Sequence, residues 1–284
     1  MSMDLKLNVG LAEQYKSSSQ KVRVLTEDWI KNEVYCPNCG NVHIKRYPNN
    51  EPVADFFCKK CSEDFELKSK SNSIGKKIVD GAYRTMLSRL AGAHSPNLFL
   101  LNYDSNLYEV SNLFIIPKHF FIPEIIEKRR PLSDTAQRAK WIGCNILLDR
   151  IPEAGRIFLI KDKQVEQKED VCAIWQKTLF LREEKKIESK GWILNVMRCI
   201  ELIHNKEFTL ADIYKFEHIL AKQHKNNRHI KDKIRRLDWC QAPRYKLFRC
   251  TKLESKFYKN ASIHNFTLLT LSVLSSYVTS IRED

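Results

Sequence analysis

The chain lacks a continuous apolar stretch at its N terminus, which argues against a signal peptide in its first residues. The apolar, Ser/Thr-rich tail from Phe266 to Val278 is too short to span a bilayer, so no membrane partner is expected. Acidic residues are in deficit: 34 Asp and Glu stand against 48 Lys and Arg, a formal net charge of +14 over 284 residues. That excess favours a polyanionic partner, duplex DNA being the commonest, with a ribosome-associated or simply basic protein as the bland alternative. Of the nine cysteines, four fall in two close pairs and the rest are scattered, a usage that fits a reducing cytoplasm better than a disulfide framework.

The paired cysteines organise the chain. Cys36-Pro-Asn-Cys39 is followed, eighteen residues on, by Cys58-Lys-Lys-Cys61, a spacing of the zinc-site class. Each pair bends the backbone into a knuckle with two thiolates facing one ion, and two knuckles complete a tetrahedral sulfur cage. Four sulfur ligands leave no position for water or substrate, so the expected zinc is structural. His43 lies between the pairs and could compete in principle, but the cysteines already fill the shell.

Beside this frame stand three candidate catalytic residues, Asp55, Glu66 and Lys68. The flanking segments read as strands, and a two-residue hairpin at Cys58–Cys61 would put Asp55 opposite Asp64 and Val53 opposite Glu66. Residues two apart share a face, so Asp55, Asp64, Glu66 and Lys68 would point one way and Phe65 and Leu67 into a core. Two hard carboxylates suit Mg²⁺, which also binds substrate phosphate. A neighbouring lysine can orient or deprotonate the attacking water, or stabilise the transition state. The arrangement resembles the PD-(D/E)xK nuclease signature, written here Pro52-Val-Ala-Asp55 and Glu66-Leu-Lys68 with one residue inserted after Pro52. The signature implies Asp55, Glu66 and the backbone of Leu67 as the Mg²⁺ ligands.

From Leu5 to about Arg236 the chain resembles the DpnI family of methyl-directed type II restriction endonucleases. The segments that carry the resemblance include Leu25-Thr-Glu-Asp-Trp29, Tyr35-Cys-Pro-Asn-Cys-Gly40, Phe65-Glu-Leu-Lys-Ser-Lys70, Asp80-Gly-Ala-Tyr83 and Trp141-Ile-Gly-Cys-Asn145. The resemblance implies an α/β (α+β) PD-(D/E)xK nuclease core with an inserted four-cysteine zinc site over residues 1–183, then a mainly α, winged-helix-like DNA-binding domain over 184–284. It also implies a bacterial, cytoplasmic enzyme that cuts double-stranded DNA at GATC containing N6-methyladenine. A monomer is the default expectation. The rival reading is a catalytically inactive zinc-containing reader of methylated DNA, or a regulator, and the intact Asp55, Glu66 and Lys68 set speaks against it.

Elsewhere, periodicity predicts an amphipathic helix from about Ser18 to Val34 and a second from Gly75 to Leu90, where Ile78, Ala82, Met86 and Leu90 recur every four residues. Residues 5–19 are ambiguous between strand and helix. Strands are predicted at Leu98–Tyr103, Leu107–Ile116 and Arg156–Lys161. Lys70, Lys76, Lys77, Arg84 and Arg89 form either a phosphate-binding face or a solvated one. Residues 117–150 read as a basic, proline-broken loop in which Arg138 and Trp141 could touch DNA, with core packing as the alternative for Trp141.

Residues 182–190 read as a charged linker. Helices are predicted at Ser189–His204, at Leu210–Gln223 behind a capping Thr209-Leu-Ala-Asp212, and at Asn227–Leu237. Three helices with a basic third one fit a helix-turn-helix, the third entering the major groove. Its candidate DNA contacts are Asn226, Asn227, His229, Lys231, Lys233 and Arg235, the amides being suited to adenine edges. After Arg236 the resemblance ends. Pro243 rules out a continuing helix, and the change of composition is what a frameshift in the coding sequence would produce.

Overall fold

The computed structural model describes residues 3–48, 54–71, 73–92, 95–203 and 208–236. Among these, a 3₁₀ turn at Val9–Ala12 leads into α1 (Ser18–Glu33), then β1 (Lys45–Arg46), β2 (Phe56–Phe57) and β3 (Asp64–Lys70). There follow β4 (Lys77–Ala82), α2 (Tyr83–Ala91), β5 (Asn97–Asp104), β6 (Glu109–Ile116), β7 (Ile126–Lys128), β8 (Gly143–Leu147), β9 (Ile157–Lys161) and β10 (Gln164–Val165). The C-terminal part is helical: α3 (Lys168–Gln176), α4 (Phe180–Glu183), α5 (Ile187–Glu201), α6 (Leu210–Tyr214), α7 (Glu217–Gln223) and α8 (Ile230–Arg236). No helix among the described residues is long and apolar enough to cross a membrane.

A seven-stranded sheet runs β1-β2-β3-β5-β6-β9-β10, with only β3 and β5 parallel. Its centre is buried on both faces, because side chains alternate along a strand. On β5, Phe99, Leu101 and Tyr103 join the core under α1 and the cysteine frame, whereas Leu98 and Leu100 join a second core on the other face. That second core runs without a break into the C-terminal helices through Trp192, Met197, Leu220 and Ile234. At the close approach of α5, a Cβ on Gly191 would lie 3.7 Å from Ile122 Cδ1.

Several expectations are corrected. Residues 75–82 are mostly strand, not helix: β4 is held by antiparallel pairing with β8, and the helix begins only at Tyr83. The region 117–150 is not a loop throughout, since β7 and β8 complete a second sheet ordered β4-β8-β7. Its basic part is an arm on that sheet, closed by Leu132 N–H donating to Trp141 O at 3.0 Å. Residues 5–19 hold a short 3₁₀ turn and an isolated bridge, Lys6 to Glu109. The linker shrinks to 184–186 between α4 and α5. The helix predicted over 210–223 breaks at Lys215 and Phe216, though Thr209 and Asp212 form the expected capping box. The third helix begins at Ile230, so Asn226, Asn227 and His229 precede it. Val53, His204, Leu237 and the tail lie outside the described residues.

One buried histidine sets an acid limit on the fold. His119 is 4% exposed, and its Nε2 lies 2.8 Å from Thr178 Oγ1, which itself donates to Trp175 O at 2.7 Å. Thr178 must therefore accept from Nε2–H, leaving Nδ1 as an unpaired buried acceptor. Burial, then the charges of Arg182, Lys190 and Lys118, pull the His119 pKa from 6.5 down to about 3. Between those values the unfolded chain binds a proton that the folded chain refuses, so this stabilisation is full above pH 6.5 and is lost as pH falls. The expected loss is roughly 2 kcal/mol between about pH 6.5 and 5. His119→Gln, which keeps an amide donor near Nε2, should flatten the dependence of melting temperature on pH; an unchanged slope would contradict this account.

Candidate active site and metal centre

The cysteine frame is built from two knuckles with the same backbone plan. Gly40 N–H donates to Cys36 O at 2.8 Å, and Ser62 N–H donates to Cys58 O at 2.9 Å. One residue further on, Asn41 O accepts from Cys36 N–H and Glu63 O from Cys58 N–H. Gly40 and Ser62, each directly after the second cysteine of its pair, both have positive φ, +69° and 56°. Glycine adopts this conformation without strain; serine does so at some cost. The four Sγ atoms lie within 4.8 Å of one another, with Cys36 to Cys61 at 3.5 Å and Cys39 to Cys58 at 3.6 Å. These separations are close to the ~3.8 Å that tetrahedral Zn–S bonds of about 2.3 Å impose. No disulfide joins them, and among the described residues this is the sole cluster with the geometry to hold a metal ion in this way, a site suited to zinc. His43 is exposed and outside the tetrad.

The second knuckle also sets the strand register. Because it closes at Cys58 and Glu63, Phe57 pairs with Asp64 and Phe56 with Phe65, two residues away from the register expected of a two-residue hairpin. A slip of two leaves every side chain on its original face. Asp55 accordingly falls beside Glu66, its N–H donating to Phe65 O at 3.0 Å and its Oδ2 accepting Leu67 N–H at 2.8 Å. Asp64 lies further out, receiving Tyr47 O–H at 2.9 Å.

Asp55, Glu66, Leu67 and Lys68 line a groove of about 810 Å³ between α1, β3 and β4. Arg23, Lys70 and Lys77 contribute positive charge to the same groove. Buried Glu27 fixes one wall, its carboxylate 2.6 Å from both Arg23 Nε and Arg46 Nη2. Lys68 Nζ sits between two acids, 2.7 Å from Glu66 Oε1 and 2.9 Å from Asp80 Oδ1. Burial lowers the Lys68 pKa, but Glu66 and Asp80 outweigh it and the net shift is upward, so the ammonium form is strongly held. Glu66 is also approached by Arg89 Nη1 at 3.7 Å. Asp80 escaped the sequence reading as a site residue because the helix assigned there hid its place on a strand facing Lys68.

The predicted DNA contacts fall in two places. Arg138 is exposed on the basic arm, while Trp141 is half-buried at its base. A Cβ on Gly143 would come within 2.8 Å of the Trp141 ring, so glycine there lets the indole lie against the strand. Between α7 and α8, Asn226, Asn227 and His229 line a cleft of about 740 Å³ with Lys225, Arg228 and Trp192. Asn227 Oδ1 accepts His229 N–H at 2.8 Å, which ties that oxygen to its own turn. Lys231 and Arg235 make surface ion pairs with Glu217 and Asp232 at 3.2 and 2.7 Å, contacts of a class worth under about 1 kcal/mol. Lys233 is half-buried on the same short helix. Lys76 and Arg84 do not line the groove.

Comparison with known families gives two matches. The DpnI model, described as the Dam-replacing family, covers residues 3–184. The model described as the Dam-replacing HTH domain covers residues 188–248, running past Arg236 where the resemblance seen in the sequence ends.

Proposed function

The chain belongs to the DpnI, or Dam-replacing, family, and we propose on that basis that it is a Mg²⁺-dependent type II endonuclease hydrolysing both strands of DNA at GATC sites containing N6-methyladenine. Membership implies a methyl-directed restriction nuclease with a DNA-binding helix-turn-helix segment; the metal, the base sequence and the methyl mark are the further content of this reading. It divides the chain into a catalytic part, 1–183, and a reading part, 184–284, acting as a monomer in a bacterial cytoplasm.

The observation that carries the reading is the convergence of Asp55, Glu66, Leu67 and Lys68 on one wall of a groove edged by Arg23, Lys70 and Lys77. The donor set fits the ion: two carboxylates and a strand carbonyl are hard oxygens of the kind Mg²⁺ prefers. Asp55 and Glu66 would hold it with Leu67 O. Bound there, Mg²⁺ supplies Lewis acidity toward water and phosphate oxygen. Asp55 is already oriented by Leu67 N–H. Glu66 rests on Lys68 and Arg89 and would give up part of that contact to hold the ion. Lys68, protonated by its setting, donates to the attacked phosphate and steadies the incoming water. Arg23, Lys70 and Lys77 draw the backbone in. The cysteine tetrad binds structural zinc and takes no part in hydrolysis. Arg138 and Trp141 on the arm, and Asn226, Asn227, His229, Lys231, Lys233 and Arg235 around α8, supply the contacts to DNA.

The test uses one plasmid prepared from hosts with and without adenine methylation at GATC, incubated with the full chain and Mg²⁺. Discrete fragments from the methylated plasmid alone are expected. Cleavage of both forms would discard the methyl specificity, and no cleavage of either would discard the enzyme.

A further inference from the structure

The acid facing Lys68 is placed by an irregularity in its strand. Asp80 is on β4, in the sheet opposite the ExK strand, and its side chain is only 8% exposed. The pairing of β4 with β8 is interrupted there: Asp80 pairs with Cys144 and Ala82 with Gly143, so Gly81 is an extra residue in the ladder. Such bulges re-aim neighbouring side chains. Here Cys144 Sγ–H closes the bulge by donating to Gly81 O at 3.4 Å, and Asp80 Oδ1 arrives 2.9 Å from Lys68 Nζ. The chain then turns directly into α2, whose Arg89 reaches Glu66. One strand–helix unit therefore touches both charged residues that β3 contributes to the motif, Glu66 and Lys68.

We propose that Asp80 is a positioning residue for Lys68: resting on the nuclease reading above, it keeps the ammonium fixed over the groove when Glu66 releases it to bind the catalytic metal. Lys68 has two anchors in the structure, and in that reading one is withdrawn for each turnover. A lysine carries a long flexible stem, and loss of both anchors would let Nζ sample positions away from the phosphate. Asp80 supplies the anchor that is not consumed.

The experiment measures single-turnover cleavage of adenine-methylated plasmid across a range of Mg²⁺ concentrations, with DNA affinity measured in parallel. Asp80→Asn, nearly identical in shape, is expected to lower the limiting rate by about 100-fold. DNA affinity and the half-saturating Mg²⁺ concentration should stay within about threefold. A rate equal to the unmodified chain, a loss restored by excess Mg²⁺, or a loss explained by weaker DNA binding would each overturn the proposal. If Asp80→Asn does not fold, Asp80→Glu carries the test: with its charge kept, it should retain cleavage within about tenfold, and a loss as large as that of Lys68→Ala would overturn the proposal. Failure of the unmodified chain to cleave would strike the nuclease reading itself, which separates the two.

Discussion

Asp55→Ala is expected to lower the single-turnover rate of DNA cleavage by about a thousandfold or more while leaving the affinity for methylated duplex within a few-fold. Two separate contributions depend on this one carboxylate. Its Oδ2 is already set by Leu67 N–H, which would pre-orient the carboxylate for the metal of the proposed reading. It is also the only member of the motif supplied from outside β3, and nothing else described in the groove replaces it at that place. The affinity should survive because, in the proposed reading, binding would be spread over the basic residues of the groove, the arm and α8, each contributing a modest phosphate contact. Rate and affinity measured on the same preparation check both halves of the expectation. Retained cleavage would show that the metal centre is misassigned.

Cys58→Ser should have the largest effect on the fold. Structural zinc sites of this sulfur-rich kind contribute apparent binding energies of roughly 10–16 kcal/mol, comparable to the whole stability of a typical domain at about 5–15 kcal/mol. The expected result is loss of bound zinc, a large drop in melting temperature and loss of cleavage together, and prolonged chelation of the unmodified chain should do the same. The coupling to activity is geometric. The second knuckle closes at Cys58 and Glu63, and that closure brings Asp55 beside Glu66. Metal content and thermal unfolding report the outcome; a chain purified without zinc and melting as before would refute it.

The parts of the fold legible in the sequence are those whose burial is patterned along a single element. α1 and the strands β5, β6 and β9 appear close to their predicted places because their apolar residues follow the period of the element itself. β4 and β8 were hidden for the opposite reason. Ile78, Ala82, Met86 and Leu90 happen to keep a helical spacing across a strand–helix junction, and what makes 77–82 a strand is a partner more than sixty residues away. The break between α6 and α7 has no Gly or Pro to announce it. At the site, the faces of Asp55, Glu66 and Lys68 were legible and the register was not, since Ser62 adopts a conformation its side chain does not advertise. Asp80 could be found only once β4 was known to lie against β3. Trp141 has a half-buried place over Gly143, so its two readings, packing and contact with DNA, are compatible.

The continuous core from Leu98 and Phe120 through Trp192 to Ile234 bears on how the two family-matched segments depend on each other. During synthesis the residues of the groove leave the ribosome well before α5 to α8, whose Trp192, Met197, Leu220 and Ile234 complete the core on one face of their sheet. A polypeptide interrupted near 184–186 would keep Asp55, Glu66 and Lys68 and still lack part of its interior. The helix-turn-helix segment thereby doubles as structural support for the sheet that precedes it.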